Sequence, residues 1–64
     1  MNTLGILRVY AVTNFTVNKK NVERRVLLLT VHAVSAEDCP KYIQEMRSEN
    51  QGEVIIGQFS VGFY

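Results

Sequence analysis

The residues that usually stabilise very small proteins are scarce in this chain. Cys39 is the only cysteine and His32 is the only histidine among 64 residues. An intrachain disulfide is therefore excluded, and so is a conventional four-ligand zinc site. No metal and no cofactor is expected. Because a domain of this length buries only about 60% of the surface that its unfolded chain exposes, association with another molecule is the stabilising device that remains.

An excess of one charge and long apolar runs are missing as well. The net charge is +1, with 20% charged and 47% hydrophobic residues, so no global field favours nucleic acid or an anionic membrane. This composition is typical of one folded domain, residues 1–64, and not of a disordered tail. The N-terminal stretch is interrupted by Arg8, Thr13 and Asn14, which is atypical of a signal peptide or a membrane span. We expect a cytoplasmic protein with no membrane partner.

Sequence motifs for catalysis are sparse. The glycines at positions 52, 57 and 62 are spread along a strand and are not gathered before a helix, so no phosphate-binding loop is indicated. A nucleophilic pair of Cys39 with His32 is the one catalytic arrangement to weigh. No third residue that would orient this pair is evident, and a packed structural thiol is the favoured interpretation. We therefore predict no enzyme and no small-molecule substrate.

Alternating apolar residues predict three β-strands. They run from Leu4 to Val17, from Val22 to Ser35 and, within the apolar stretch Glu53 to Tyr64, from Val54 to Phe63. The handedness and length of the connections then predict a three-stranded antiparallel sheet in order 2-1-3. On the last strand, the residues expected to face the helix are Ile55, Phe59, Val61 and Phe63. Gly57 and Gly62 are expected at a bulge or a close backbone approach.

One helix is predicted between the second and third strands. Ser35 is expected to cap its start, Pro40 is tolerable only in its first turn, and Gly52 is suited to its left-handed end. The residues of its apolar stripe are Cys39, Tyr42, Ile43 and Met46. The fold class is therefore α+β, with the order β-β-α-β and the helix packed on one face of the sheet.

The register of the hairpin decides which side chains face the helix. We expect Asn18 to lie opposite Val22 around a three-residue loop, with Asn21 in the left-handed conformation. A register shifted by one residue would bury two basic side chains and is disfavoured. In the expected register, the helix-side residues of strand one are Leu7, Val9, Ala11 and Thr13, beside Ala33, Val31, Leu29 and Leu27.

The face of the sheet opposite the helix, here called the open face, is predicted to be largely apolar. Its apolar members would be Ile6, Tyr10, Val12, Val26, Leu28, Val34, Val54 and Ile56, with Arg8, Arg24, Thr30 and His32 among them. Soluble monomers seldom expose contiguous apolar patches of more than a few hundred Å². The alternative is that twist and bulges scatter these residues harmlessly.

A protein interface is the favoured interpretation of this face. The interface residues predicted from the pattern are Ile6, Arg8, Tyr10, Val12, Leu28, His32, Val54 and Ile56. We predict a non-catalytic protein-binding module, a small regulator or inhibitor, that associates with a protein partner or with itself as a homo-oligomer. The contact would use the open face or the free edge of strand three.

Nucleic-acid binding is the alternative function. Four basic residues cluster near the tip of the hairpin: Lys19, Lys20, Arg24 and Arg25. A basic two-stranded ribbon is able to follow phosphates or to enter a major groove. Charge runs at hairpin tips are more often solvated turns, and acidic helix residues offset these charges.

The predicted layout of strands and helix also occurs in small phage proteins that bind host enzymes, but this analogy of fold and size transfers no residue.

Overall fold

The computed structural model describes residues 3–61 and shows a three-stranded antiparallel sheet with one helix. The elements are β1 (Leu4–Val17), β2 (Lys20–Ser35), a single 3-10 turn (Ala36–Asp38), α1 (Cys39–Glu49) and β3 (Val54–Ser60). The strand order is β2-β1-β3, with β1 antiparallel to both neighbours. The predicted fold class and strand order are confirmed.

The turn of the hairpin differs from the expected one. Val17 pairs with Lys20, so the turn consists of Asn18 and Lys19 alone, and both have positive φ values, 51° and 65°. Two successive positive φ values are typical of the two-residue turn whose twist matches that of the flanking strands. The predicted three-residue loop, with Asn21 in the left-handed conformation, was therefore wrong.

Two irregularities in the β1–β2 pairing explain why no single register fits the hairpin. Val9 pairs with Leu29 whereas Tyr10 pairs with Leu27, which leaves Leu28 as an extra residue. A second shift lies between Gly5 and Leu7, where Ala33 of β2 has a φ of 54°. A bulge inserts one residue and reverses the alternation beyond it. The prediction assumed one uniform register and was wrong on this point.

The core lies between the sheet and α1. Leu7 and Val9, in the first half of β1, are fully buried. The remaining members of the buried cluster are Ala11, Val34, Cys39, Met46 and Ile55, with Leu28, Leu29, Val31, Tyr42, Ile43 and Phe59 packed against them. The predicted apolar stripe of the helix is confirmed. Val34, which was expected on the open face, belongs to this core because the bulge at Ala33 turns it inward.

The ends of α1 follow the predicted residues with one exception. Pro40 lies in the first turn, Asn50 follows the last helical residue, and Gly52 has a φ of 89° in the turn that leads to β3. Ser35 does not cap the helix. Its hydroxyl donates to Asp38 Oδ2 at 3.1 Å, because the intervening 3-10 turn moves the start of the α-helix to Cys39.

The third strand is shorter than expected and approaches the helix closely. It ends at Ser60, and the predicted positions Gly62, Phe63 and Tyr64 lie outside the described residues. At Gly57, an added Cβ would come to 2.6 Å from Cδ1 of Ile43. The prediction of a close approach at Gly57 is confirmed, and it lets α1 lie against β3 at this point.

Candidate protein interface

The centre of the open face is an apolar row that crosses all three strands. Tyr10 of β1 lies between Leu27 of β2 and Ile56 of β3. Side chains of directly opposed residues in antiparallel strands point to the same face of the sheet. Tyr10 and Ile56 are half-buried by their neighbours, whereas Leu27 is 52% exposed. This row is the apolar centre of the open face.

The next row extends the apolar surface towards the start of β3. Val12 lies between Arg25 and Val54. Val12 is only 8% exposed although it is not part of the helix-side core, whereas Val54 is 59% exposed. The open face therefore has a shielded valine between an exposed valine and an arginine.

The other end of the open face is polar. Arg8 lies between Thr30 and Gln58, and beyond it Ile6 lies beside Ser60. Arg8 is half-buried, and within residues 3–61 its guanidinium has no side-chain hydrogen bond or ion pair. An arginine in this position is a ready donor to a carboxylate that comes from outside the chain.

Most of the predicted interface residues do share this face. They are Ile6, Arg8, Tyr10, Val12, Val54 and Ile56, and His32 is exposed beside the bulge opposite Ile6. The expected register, with Leu7 beside Ala33, would place His32 opposite Arg8, but Thr30 occupies that position.

Leu28 is the member of the predicted set that does not lie on the open face. It is the extra residue of the bulge and packs against the helix-side core. Leu27 takes its place on the open face, while Val26 lies beside Ala11 on the other side of the sheet. Within a run of three consecutive leucines, residue type carries no signal that would distinguish these positions.

Beyond Val12 the hairpin continues as a two-stranded projection, residues 13–24, which we call the arm. The pairing of β3 with β1 ends at Val12, and every residue of the arm is exposed. The described part of the molecule is correspondingly elongated, 49 × 27 × 13 Å. The arm has one apolar row, in which Phe15 pairs with Val22 on the helix side of the sheet.

The basic residues of the hairpin are divided between two faces. Arg24 pairs with Thr13 and lies on the same side as Phe15, whereas Arg25 pairs with Val12 on the open-face side. Arg25 Nε also donates to Glu23 Oε2 at 2.9 Å. Lys19 lies in the turn and Lys20 begins β2. The predicted basic residues therefore do not form one continuous surface.

Cys39 and His32, the two residues considered as a nucleophilic pair, have different surroundings. Cys39 is buried in the core, and its Sγ donates to the Ser35 carbonyl at 3.5 Å. His32 is exposed on β2. Among the described residues, no three His, Cys, Asp or Glu side chains are grouped so that they could hold a metal ion.

Comparisons with known proteins identify no relative of this chain: no family model, curated protein or solved structure matches it. The 11-residue α1 is the longest helix of the described residues, and none there is long and apolar enough to cross a membrane. Inference about function therefore starts from the open face and the arm.

Proposed function

We propose that this chain is a non-catalytic protein-binding module, a small cytoplasmic regulator or inhibitor that docks a protein partner on the open face. The observation that supports this proposal is the uncovered row of Leu27, Tyr10 and Ile56. Apolar and aromatic side chains at the centre of a patch, with polar groups around them, are characteristic of protein interfaces.

The charge of the open face defines the chemistry of the partner. Arg8, Arg25 and His32 lie on or beside this face, and the carboxylate of Glu23 is bonded to Arg25. The complementary protein surface has an apolar centre and at least one carboxylate positioned for Arg8. Such a carboxylate would complete the hydrogen bonding of a half-buried guanidinium.

Nucleic-acid binding has weaker support. A protein that binds a nucleic-acid groove or a single strand needs basic side chains aligned along the phosphate backbone. Here Arg24 and Arg25 lie on opposite sides of the ribbon, and Arg25 forms an ion pair with Glu23. The acidic residues of α1 and its flanking turns further offset the charge of the arm.

Site-specific photo-crosslinking in the source cell tests the proposal. A photoreactive amino acid at Val54, the most exposed large apolar residue of the open face, is expected to form an adduct with a discrete protein. The same group at Gln44, exposed on α1, is the positional control. Leu27→Glu should abolish the Val54 adduct, since it introduces a charge into the apolar row.

A matched variant separates docking from general damage to the fold. Val26 is 44% exposed and precedes Leu27, but it points to the opposite side of the sheet. Val26→Glu should therefore leave the adduct intact. Equal adducts from Val54 and Gln44, no adduct from Val54, or an adduct that survives Leu27→Glu would each contradict docking on the open face.

A further inference from the structure

The arm leaves part of β1 with an unpaired edge. Along Ile6–Val12, β1 has β2 on one side and β3 on the other, but residues 13–17 have β2 alone. The two residues that flank a two-residue turn form backbone hydrogen bonds with each other. Along each strand, every second residue then hydrogen-bonds to the partner strand, and the residues between point their backbone groups to the other edge. The main-chain groups of Phe15 and Val17 therefore face β2, while those of Asn14 and Thr16 face the free edge.

We propose that this edge pairs with the same edge of a second copy of the chain. An antiparallel β1–β1 contact about a two-fold axis uses one surface twice, as closed homodimers do. The proposal concerns the arm and not the open face, so it stands or falls independently of the partner described above. A two-stranded ribbon is at best marginally stable alone in water, and a second copy would make the arm four-stranded.

The position of β3 excludes one register and favours the next. A two-fold axis perpendicular to the sheet places residues of equal parity opposite each other. Pairing Thr13 with Val17 of the second copy would drive the turn of that copy into Val54, which occupies the edge beside Val12. A shift by two residues removes this overlap and places Thr16 opposite Thr16, where each N–H can donate to the other carbonyl.

This register also joins the apolar side chains of the two arms. Phe15 of one copy lies opposite Val17 of the other, and both are exposed in the single chain, at 43% and 47%. Each is flanked on its own chain by β2, where Val22 lies beside Phe15. The result is a continuous apolar strip on the helix side, of the kind that cross-strand pairs stabilise.

Charge favours a second copy as the occupant. The arm has three basic residues and one acidic residue, a net charge of +2, whereas residues 36–53 have five acidic and two basic residues, a net charge of −3. In the proposed register, the turn with Lys19 approaches Glu53 of the other copy, immediately before β3. Opposite charges therefore meet twice, once on each side of the axis.

Disulfide trapping tests the contact and its register together. Thr16→Cys is expected to give a covalent dimer under mild oxidation, because directly opposed residues have Cα atoms about 5.5 Å apart, within disulfide range. The matched control is Asn21→Cys. Asn21 pairs with Thr16 on the same face, but it would lie three strand spacings, about 14 Å, from its counterpart, and should give no dimer.

A charge exchange provides the second test. Glu53→Lys should raise the dimer dissociation constant severalfold in sedimentation experiments, and Lys19→Asp in the same chain should restore it. Aspartate tolerates the left-handed φ of position 19, and Glu37→Lys, far along the chain, is the control for net charge. A single-copy mass for the unmodified chain, equal trapping at positions 16 and 21, or no restoration by the exchange would overturn the proposal.

Discussion

The arm and the rest of the described molecule, here called the base, differ in what packs on the hairpin: β3 and α1 do so in the base, whereas every residue of the arm is exposed. In the base, Val9 has an exposed fraction of 0%, between β2 and β3 and beneath α1. In the arm, Phe15 follows the same alternation, on the same side of the same strand, and is 43% exposed. An alternating apolar pattern thus predicts which side of a strand is suited to burial. It does not predict whether the same chain or another molecule packs on that side.

The largest expected effect is the loss of a core side chain from the base. Leu7→Ala should lower the free energy of unfolding by about 2–5 kcal/mol, since it removes buried methyl groups and leaves a cavity. A domain of this size has only about 3–5 kcal/mol in total, so much of the variant should be unfolded. Urea denaturation followed by circular dichroism measures the change.

Val17→Ala is the matched change in the arm. The side chain is 47% exposed, so at concentrations where the chain is a single copy the change should be within about 0.5 kcal/mol. If Val17→Ala lowered the free energy of unfolding as much as Leu7→Ala, the arm would be packed as tightly as the base, and the contrast between an exposed arm and a buried base would be wrong.

The next effect tests the bulge at Leu28, within the base. Leu28→Glu should cost about 2–3 kcal/mol, because it puts a charge against the helix-side core. Leu27→Glu, at the adjacent exposed position, should change the free energy of unfolding by no more than about 0.5 kcal/mol. If Leu27→Glu unfolded at a lower urea concentration than Leu28→Glu, the strands would pair in the bulge-free register that the sequence pattern predicts.

The strands, their order and the helix could be predicted because each is supported by periodicity together with a distinctive residue. Pro40 marks the first helical turn, and Gly52 and Gly57 mark a left-handed position and a close approach. The bulges could not be predicted, because Leu28 and Ala33 are ordinary strand and core residues. Those two extra residues moved Val34 into the core and placed Leu27, rather than Leu28, on the open face.

A smaller effect is expected where β3 meets α1 in the base. Gly57→Ala should cost about 1.5 kcal/mol, because the new methyl group overlaps Ile43 Cδ1. Ile43→Val shortens that side chain, so the double variant should lose less stability than the sum of the two single changes. A double-mutant cycle measures this coupling, and strict additivity would contradict the close approach.

The smallest effect on the fold is expected at the apolar row of the arm. Phe15→Thr should change the stability of the single chain by about 0.5 kcal/mol or less, since threonine is suited to strands and the phenylalanine is exposed. The same change should weaken self-association measurably in sedimentation. A large loss of stability without a change in association would mean that Phe15 packs within its own chain.

Hydrogen exchange at two positions on one edge of β1 tests most directly whether the arm is completed by a second copy. The amide of Tyr10 faces β3 and should be protected at every protein concentration. The amide of Thr16 faces the free edge, and its protection should rise with concentration as the arms pair. If Thr16 exchanges as fast as an unstructured peptide at all concentrations, while Tyr10 stays protected, the arm has no second copy beside it.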